Sequence, residues 1–328
     1  MRKWMEERDG RRDGCTGFRR RADARAAAPR FEALEERTLM SAVAAGVVEG
    51  VLTVAGDANA GHVVIKQVRN RDGEPVIRVI GKRLDGQPTL INGNNAATFS
   101  AGVNGLIVDT GGGNDRIVIR RLDVDGDGVI FGSGGNERIT VLGGLFAGDL
   151  VIQTGGGDDR IAINGAAVTG FDGPGGLFID AGLGRDVINI DGANVPGGLI
   201  DVNAGIFGGA NGLADRFARR DGDRVRIDNA NALELAVFTG AGNDTLSIGR
   251  STFDTRALVD GGAGAFDTLT IHDLGALGLD PVGFEQNIGV TPGLTRFVGN
   301  FIILAPGGPV PSGAGVIMGR GGLPGLLE

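Results

Sequence analysis

The chain has 328 residues, 62 of them glycine, and a formal net charge of −8. Glycine this far above ordinary usage of about 7% but without a three-residue period excludes collagen, and the β-branched runs between the glycines exclude a plain low-complexity coil. The acidic balance argues against nucleic acid as a partner and is compatible with cation binding. A lone cysteine, Cys15, allows no internal disulfide, and no run approaches the 18 apolar residues of a membrane span.

Residues 1–45 read as a charged N-terminal targeting segment, largely disordered. Residues 1–37 hold ten arginines and one lysine against eight acids, a composition poor in core-forming side chains. A short stretch, FEALEERTLMSA at 31–42, allows an amphipathic helix or part of an export signal. It resembles the LEPR-XLL motif of planctomycete surface and secreted proteins. Phe31, Leu34, Glu35, Arg37, Leu39 and Ser41 match, Met40 stands for a usual leucine and Glu36 for the proline. The resemblance implies a secreted or cell-surface location.

Residues 46–100 read as a capping region of β-hairpins. GVLTVAG, HVVIKQV, PVIRVI and PTLING are short, rich in β-branched residues and separated by turn residues. A stacked array leaves an unpaired apolar edge at its end and needs such a cap.

Residues 101–272 repeat one theme. TGGGNDRIVI at 110–119, SGGNERITV at 133–141, TGGGDDRIAI at 154–163, AGLGRDVINI at 181–190, a diverged GDRVRI at 222–227, TGAGNDTLSI at 239–248 and GGAGAFDTLTI at 261–271 each join a glycine loop to an acid and an alternating strand. The acids are Asp115, Glu137, Asp159, Asp186, Asp223, Asp244 and Asp267, at spacings of 22, 22, 27, 37, 21 and 23 residues. Such periods mean a stacked architecture.

Apolar pairs precede the loops: Leu106 and Val108, Val129 and Phe131, Leu150 and Ile152, Leu177 and Ile179, Leu235 and Val237. Further pairs follow them: Ile117 and Ile119, Ile139 and Val141, Ile161 and Ile163, Ile188 and Ile190, Val225 and Ile227, Leu246 and Ile248, Leu269 and Ile271. Alternation turns one face of each strand inward. The expected fold is all-β, a right-handed parallel β-helix or β-roll solenoid with turns of about 22 residues and an N-terminal β-hairpin cap. The longer intervals place insertions near 170–176 and 204–221, on the rim. Residues 273–328 lose the repeat and read as a C-terminal cap, with FVGNFIIL at 297–304 as its strand, followed by a Gly/Pro-rich tail.

Glycines let the loop backbone turn its carbonyls inward, and the acid adds a hard oxygen. Ca²⁺ takes six to eight oxygens at about 2.3–2.6 Å, more than one loop offers and within reach of two stacked loops. TGGGDDRI, TGGGNDRI and TGAGNDTL closely resemble the hemolysin-type (RTX) calcium-binding repeat GGxGxDxU. That resemblance implies Ca²⁺ as cofactor, held by Asp115, Glu137, Asp158, Asp159, Asp186, Asp244 and Asp267, with Asn114, Asn136 and Asn243 and the carbonyls of Gly111, Gly113, Gly155, Gly157, Gly240 and Gly242. RTX arrays repeat every nine residues, so here at most one edge is fully motif-like. Asp223 is a weaker candidate. So are Asp123, Asp125 and Asp127 of DVDGDGVI, which follow the start of an EF-hand loop without its final glutamate. The alternative is that these loops only make tight turns.

Catalysis is not expected. His62 and His272 show no zinc spacing, and no nucleophile elbow or P-loop occurs. The expected role is structural or adhesive, with calcium ions and cell-surface polysaccharide or other surface proteins as partners. The alternatives are a carbohydrate-active β-helix enzyme, a lyase or hydrolase, and a calcium-independent spacer.

Overall fold

The computed structural model describes residues 41–170, 175–205, 222–240, 242–261, 268–272, 279–282 and 286–290. The segment at 1–40, the cores of both insertions, Asp267 and residues 291–328 lie outside these, and with them the LEPR-XLL-like motif and the proposed C-terminal strand and tail. The described residues contain 24 strands in one mixed, mostly parallel sheet and no helix.

The N-terminal strands are β1 (Ser41–Val48), β2 (Val51–Ala55), β3 (His62–Arg69), β4 (Pro75–Gly81), β5 (Arg83–Leu84), β6 (Gln87–Ile91) and β7 (Ala96–Ser100). Here the antiparallel pairs concentrate: β1 with β2, β3 with β4, β4 with β7, and β5 with β6. β1 opens inside the stretch assigned to the leader, so Ser41–Ala45 belongs to the sheet. Its alternating side chains explain why: Ser41 and Val43 are buried, and Ser41 to Val43 pair in parallel with Thr89 to Ile91 of β6.

The repeats follow as β8 (Gly105–Asp109), β9 (Arg116–Val124), β10 (Gly128–Phe131), β11 (Arg138–Phe146), β12 (Leu150–Gln153), β13 (Arg160–Asn164), β14 (Ala167–Val168) and β15 (Gly176–Asp180). They continue through β16 (Val187–Asp191), β17 (Asn194–Asn203), β18 (Arg224–Asp228), β19 (Asn231–Phe238), β20 (Thr245–Gly249), β21 (Thr252–Asp260), β22 (Thr268–His272), β23 (Leu279–Val282) and β24 (Gln286–Val290). Two long parallel ladders result. One runs β2, β8, β10, β12, β15, β17, β19, β21, β23. The other runs β3, β9, β11, β13, β16, β18, β20, β22, β24. A shorter file joins the far end of β9 to that of β11, then to β14, β17, β19 and β21.

Because register repeats from strand to strand, like residues stack on like. Ile119, Val141, Ile163, Ile190, Ile227 and Ile248 form one fully buried column. Each such side chain contributes about 1.5–3 kcal/mol relative to exposure. The extra residues of the two long intervals fall between β14 and β15 and between β17 and β18, and strand pairing continues past both.

One repeat departs from the expected pattern. In β10 the inward residues are Gly128 and Ile130, while Val129 is half-buried and Phe131 is 37% exposed. Register aligns Gly128 with Leu106 and Ile130 with Val108, so Ser133 stands where the neighbouring loop has Gly111. A one-residue slip moves every side chain to the other face. Gly128 occupies a leucine position because the Phe146 ring fills that space; a methyl group there would come within 2.6 Å of it.

Candidate functional site

The acid of each repeat sits one residue before its strand in the second ladder. Stacking gathers Asp115, Glu137, Asp159, Asp186, Asp223 and Asp244 into one file, each at most 2% exposed. They point into the interior rather than to the rim. The carboxylates serve the backbone next door: Oδ1 of Asp159 accepts the N–H of Glu137 at 2.7 Å, Asp186 that of Asp159 at 2.8 Å, Asp223 that of Asp186 at 2.7 Å, and Asp244 that of Asp223 at 2.8 Å. At the N-terminal end of the file Asp115 accepts from the Gly61 N–H at 2.5 Å.

Glu137 interrupts this file. Its longer side chain overshoots the neighbouring N–H, and neither carboxylate oxygen has a hydrogen-bond donor. Gly132 and Gly135 make room for it: a methyl group at Gly132 would lie 2.8 Å from its Cγ, and one at Gly135 2.9 Å from its Oε1. The second oxygen of Asp159 also lacks a donor, while the Asp115 carboxylate has the Thr110 side chain beside it. Burial, then the adjoining Asp159 carboxyl, raises the Glu137 pKa to about 8. Burial, opposed by the Gly61 N–H, raises that of Asp115 to about 6.

The position before each acid forms an exposed ladder of opposite polarity. Asn114 Oδ1 accepts from the N–H of Asn136 at 2.8 Å, Asn136 from Asp158 at 2.7 Å, and Asp158 from Arg185 at 3.1 Å. Asn243 occupies the corresponding exposed position in its repeat. Gly111, Gly113, Gly155, Gly157, Gly240 and Gly242 all adopt positive φ. At Gly157 (φ 140°) the stacking also forbids a side chain, since a methyl group would lie 1.5 Å from the Gly135 carbonyl oxygen. The Gly113 and Gly157 carbonyls likewise aim along the stack, at Gly135 and Gly184, while that of Gly155 accepts the Leu183 N–H at 2.8 Å.

By donor type this site fits a hard cation: buried carboxylate oxygens without donors lie beside carbonyl-bearing loops. Among the described residues, no three His, Cys, Asp or Glu side chains converge as a chelating group. Asp123, Asp125 and Asp127 do not converge either. Asp123 takes the Gln67 amide at 3.1 Å and the Leu145 N–H at 3.2 Å, and Asp127 takes the Asp149 N–H at 2.8 Å. His62 lies on β3 and belongs to no such group among the described residues.

A second feature escaped the motif reading. On the outer face of β12, β15 and β17 a shallow cavity of about 200 Å³ is lined by Val151, Gln153, Phe178, Asp180, Asp201 and Asn203, with Ile152 and Ile179 beneath. Burial and the charge of Asp180 raise the Asp201 pKa. Reading the outward positions of the alternating strands as columns would have found it, because Phe178 pairs with Asp201 and Asp180 with Asn203.

No family model, curated protein or solved structure matches the chain. Among the described residues no helix is long and apolar enough to cross a membrane.

Proposed function

We propose that the chain is a right-handed parallel β-solenoid with turns of about 22 residues, exported or displayed at the cell surface, with a structural or adhesive role. Ca²⁺ bound between stacked Gly–Asp loops stabilises it. The observation that carries the calcium reading is the buried acid file, in which Glu137 and Asp159 retain carboxylate oxygens without donors. Buried charge left unpaired is costly. Asp115, Glu137 and Asp159, with carbonyls of Gly111, Gly113, Gly155 and Gly157, would hold the ion, and Asp186 and Asp244 extend the set. The ion supplies charge neutralisation that couples one repeat to the next. Export rests on the motif at 31–42.

Thermal unfolding of the full chain in EDTA, in millimolar Ca²⁺ and in Mg²⁺ tests this. A ligand bound only by the folded state adds about 2.7 kcal/mol per site at 100 times its Kd. Asp159→Asn keeps the oxygen that accepts the Glu137 N–H but removes the charge. It should hold or raise stability in EDTA and diminish the gain from Ca²⁺. Equal melting temperatures in EDTA and Ca²⁺ for the native chain would leave the loops as turns alone.

The reading of a carbohydrate-active enzyme is favoured by one observation, the Asp180 and Asp201 pair beside Phe178. Release of reducing ends from a polysaccharide, abolished by Asp201→Asn, would support it over the structural role.

A further inference from the structure

The second ladder carries a file of arginines on its outside. Register aligns His62, Arg116, Arg138 and Arg160 across β3, β9, β11 and β13. The three arginines are exposed. With strands about 4.8 Å apart, three guanidinium groups fall on a line of roughly 10 Å.

This line is unusual for a chain of net charge −8. Among the described residues, the ion pairs join Arg226 and Arg250 to Asp228, and none involves Arg116, Arg138 or Arg160. Asp158, the exposed acid nearest to Arg160 in sequence, accepts the backbone N–H of Arg185. Like charges directly opposite on adjacent strands are unfavourable. The fold does not demand arginine here either: the same position holds Val187 in the next repeat and Thr245 in a later one, with an exposed Arg224 between them. Lys66 and Arg120 broaden the charge toward the cap. His62 feels it: burial first, then the charges of Arg116 and Lys82, lower its pKa.

We propose that this arginine file binds a linear polyuronate, a carboxylated polysaccharide lying along the stacking direction. Guanidinium groups take carboxylates by paired hydrogen bonds. Across β11 and β13 the file is one arginine wide, which suits a thin chain. Its outward neighbours on β11 and β13 include Thr140, Ala162 and Asn164, small or hydrogen-bonding groups. Single-stranded nucleic acid is disfavoured because the outward positions of β9, β11 and β13 offer no aromatic ring for base stacking. The arginines point away from the buried acids, so this proposal goes beyond the calcium reading and does not rest on it.

The test is titration calorimetry of the full chain with a short oligogalacturonate, a neutral oligoglucan and oligothymidylate. All arms contain the same low CaCl₂, so the calcium state of the chain is the same in each. The native chain should bind the oligogalacturonate alone, more weakly as salt rises. Arg116→Gln, Arg138→Gln and Arg160→Gln together should weaken binding on the order of tenfold or more while leaving circular dichroism unchanged. If the triple variant does not fold, Arg138→Gln alone should still weaken binding, and Arg69→Gln, off the file, should not. Absence of binding by the native chain, unchanged affinity in the folded variants, or equal binding of oligothymidylate overturns the proposal. The EDTA melting comparison is a separate measurement, so either reading can fail without the other.

Discussion

The backbone N–H of Glu137 donates to Asp159 Oδ1 at 2.7 Å, while the carboxylate of Glu137 reaches no donor of its own. Glu137 is therefore held by the acid file on one side and breaks it on the other. One extra methylene makes the difference, since Asp159, Asp186 and Asp223 each do both tasks.

Glu137→Asp should accordingly mend the file. A carboxylate at aspartate reach gains the N–H of Asp115, and a hydrogen bond to a charged group is worth about 1.5–3 kcal/mol. The space opened by losing a methylene offsets part of that. The expected result is a gain of about 1 kcal/mol, read as a higher denaturant midpoint in EDTA with an unchanged slope.

Acidity should stabilise the metal-free chain. The folded pKa values of Glu137, about 8, and Asp115, about 6, lie above their usual carboxylate values. Between those usual values and the raised ones the folded state binds more protons than the unfolded chain, so stability falls as pH rises through that window. Melting temperatures in EDTA should decline from pH 5 to pH 8, and Glu137→Gln, which cannot ionise, should flatten the upper part of the decline. A flat native profile across this range would contradict the assignment.

Two glycine substitutions separate stacking from backbone preference. Gly157→Ala meets both a φ of 140° and a carbonyl oxygen 1.5 Å from the new methyl group, and should cost about 3 kcal/mol or more. Gly165→Ala, with φ 68° and nothing within 4 Å, should cost only about 1 kcal/mol. Urea midpoints measure both; equal losses would show that loop contact contributes little.

Within the buried column, Ile163→Ala should lose about 2–5 kcal/mol, because its neighbours Val141 and Ile190 are fixed by strand register and cannot close the cavity. Thermal unfolding at fixed calcium checks it.

Much of the fold was legible because alternation and repeat spacing act together. Ile117 and Ile119 could be matched to Ile139 and Val141 by text alone, and the ladders pair them so. Val129 and Phe131 were misassigned because SGGNE counts its glycines differently from TGGGND, and a small counting difference inverts a strand. The acids were legible as a recurring chemistry, but not their direction. Position after a loop does not say whether a carboxylate faces the rim or caps a neighbouring N–H inside; that depends on stacking. The N-terminal region was legible only as strands, since the pairing of β4 with both β3 and β7 carries no repeating signal.

The bond from Asp159 to Asp186 spans 27 residues of chain and that from Asp186 to Asp223 spans 37, yet at 2.8 and 2.7 Å they match the 2.7 Å of the one spanning 22 to within 0.1 Å. The scaffold thus measures contacts and is indifferent to the length of thread between them. Segments of foreign sequence spliced between β14 and β15 or between β17 and β18 should be carried as passengers, making these two joints the natural ports for grafting a new binding loop onto the stack.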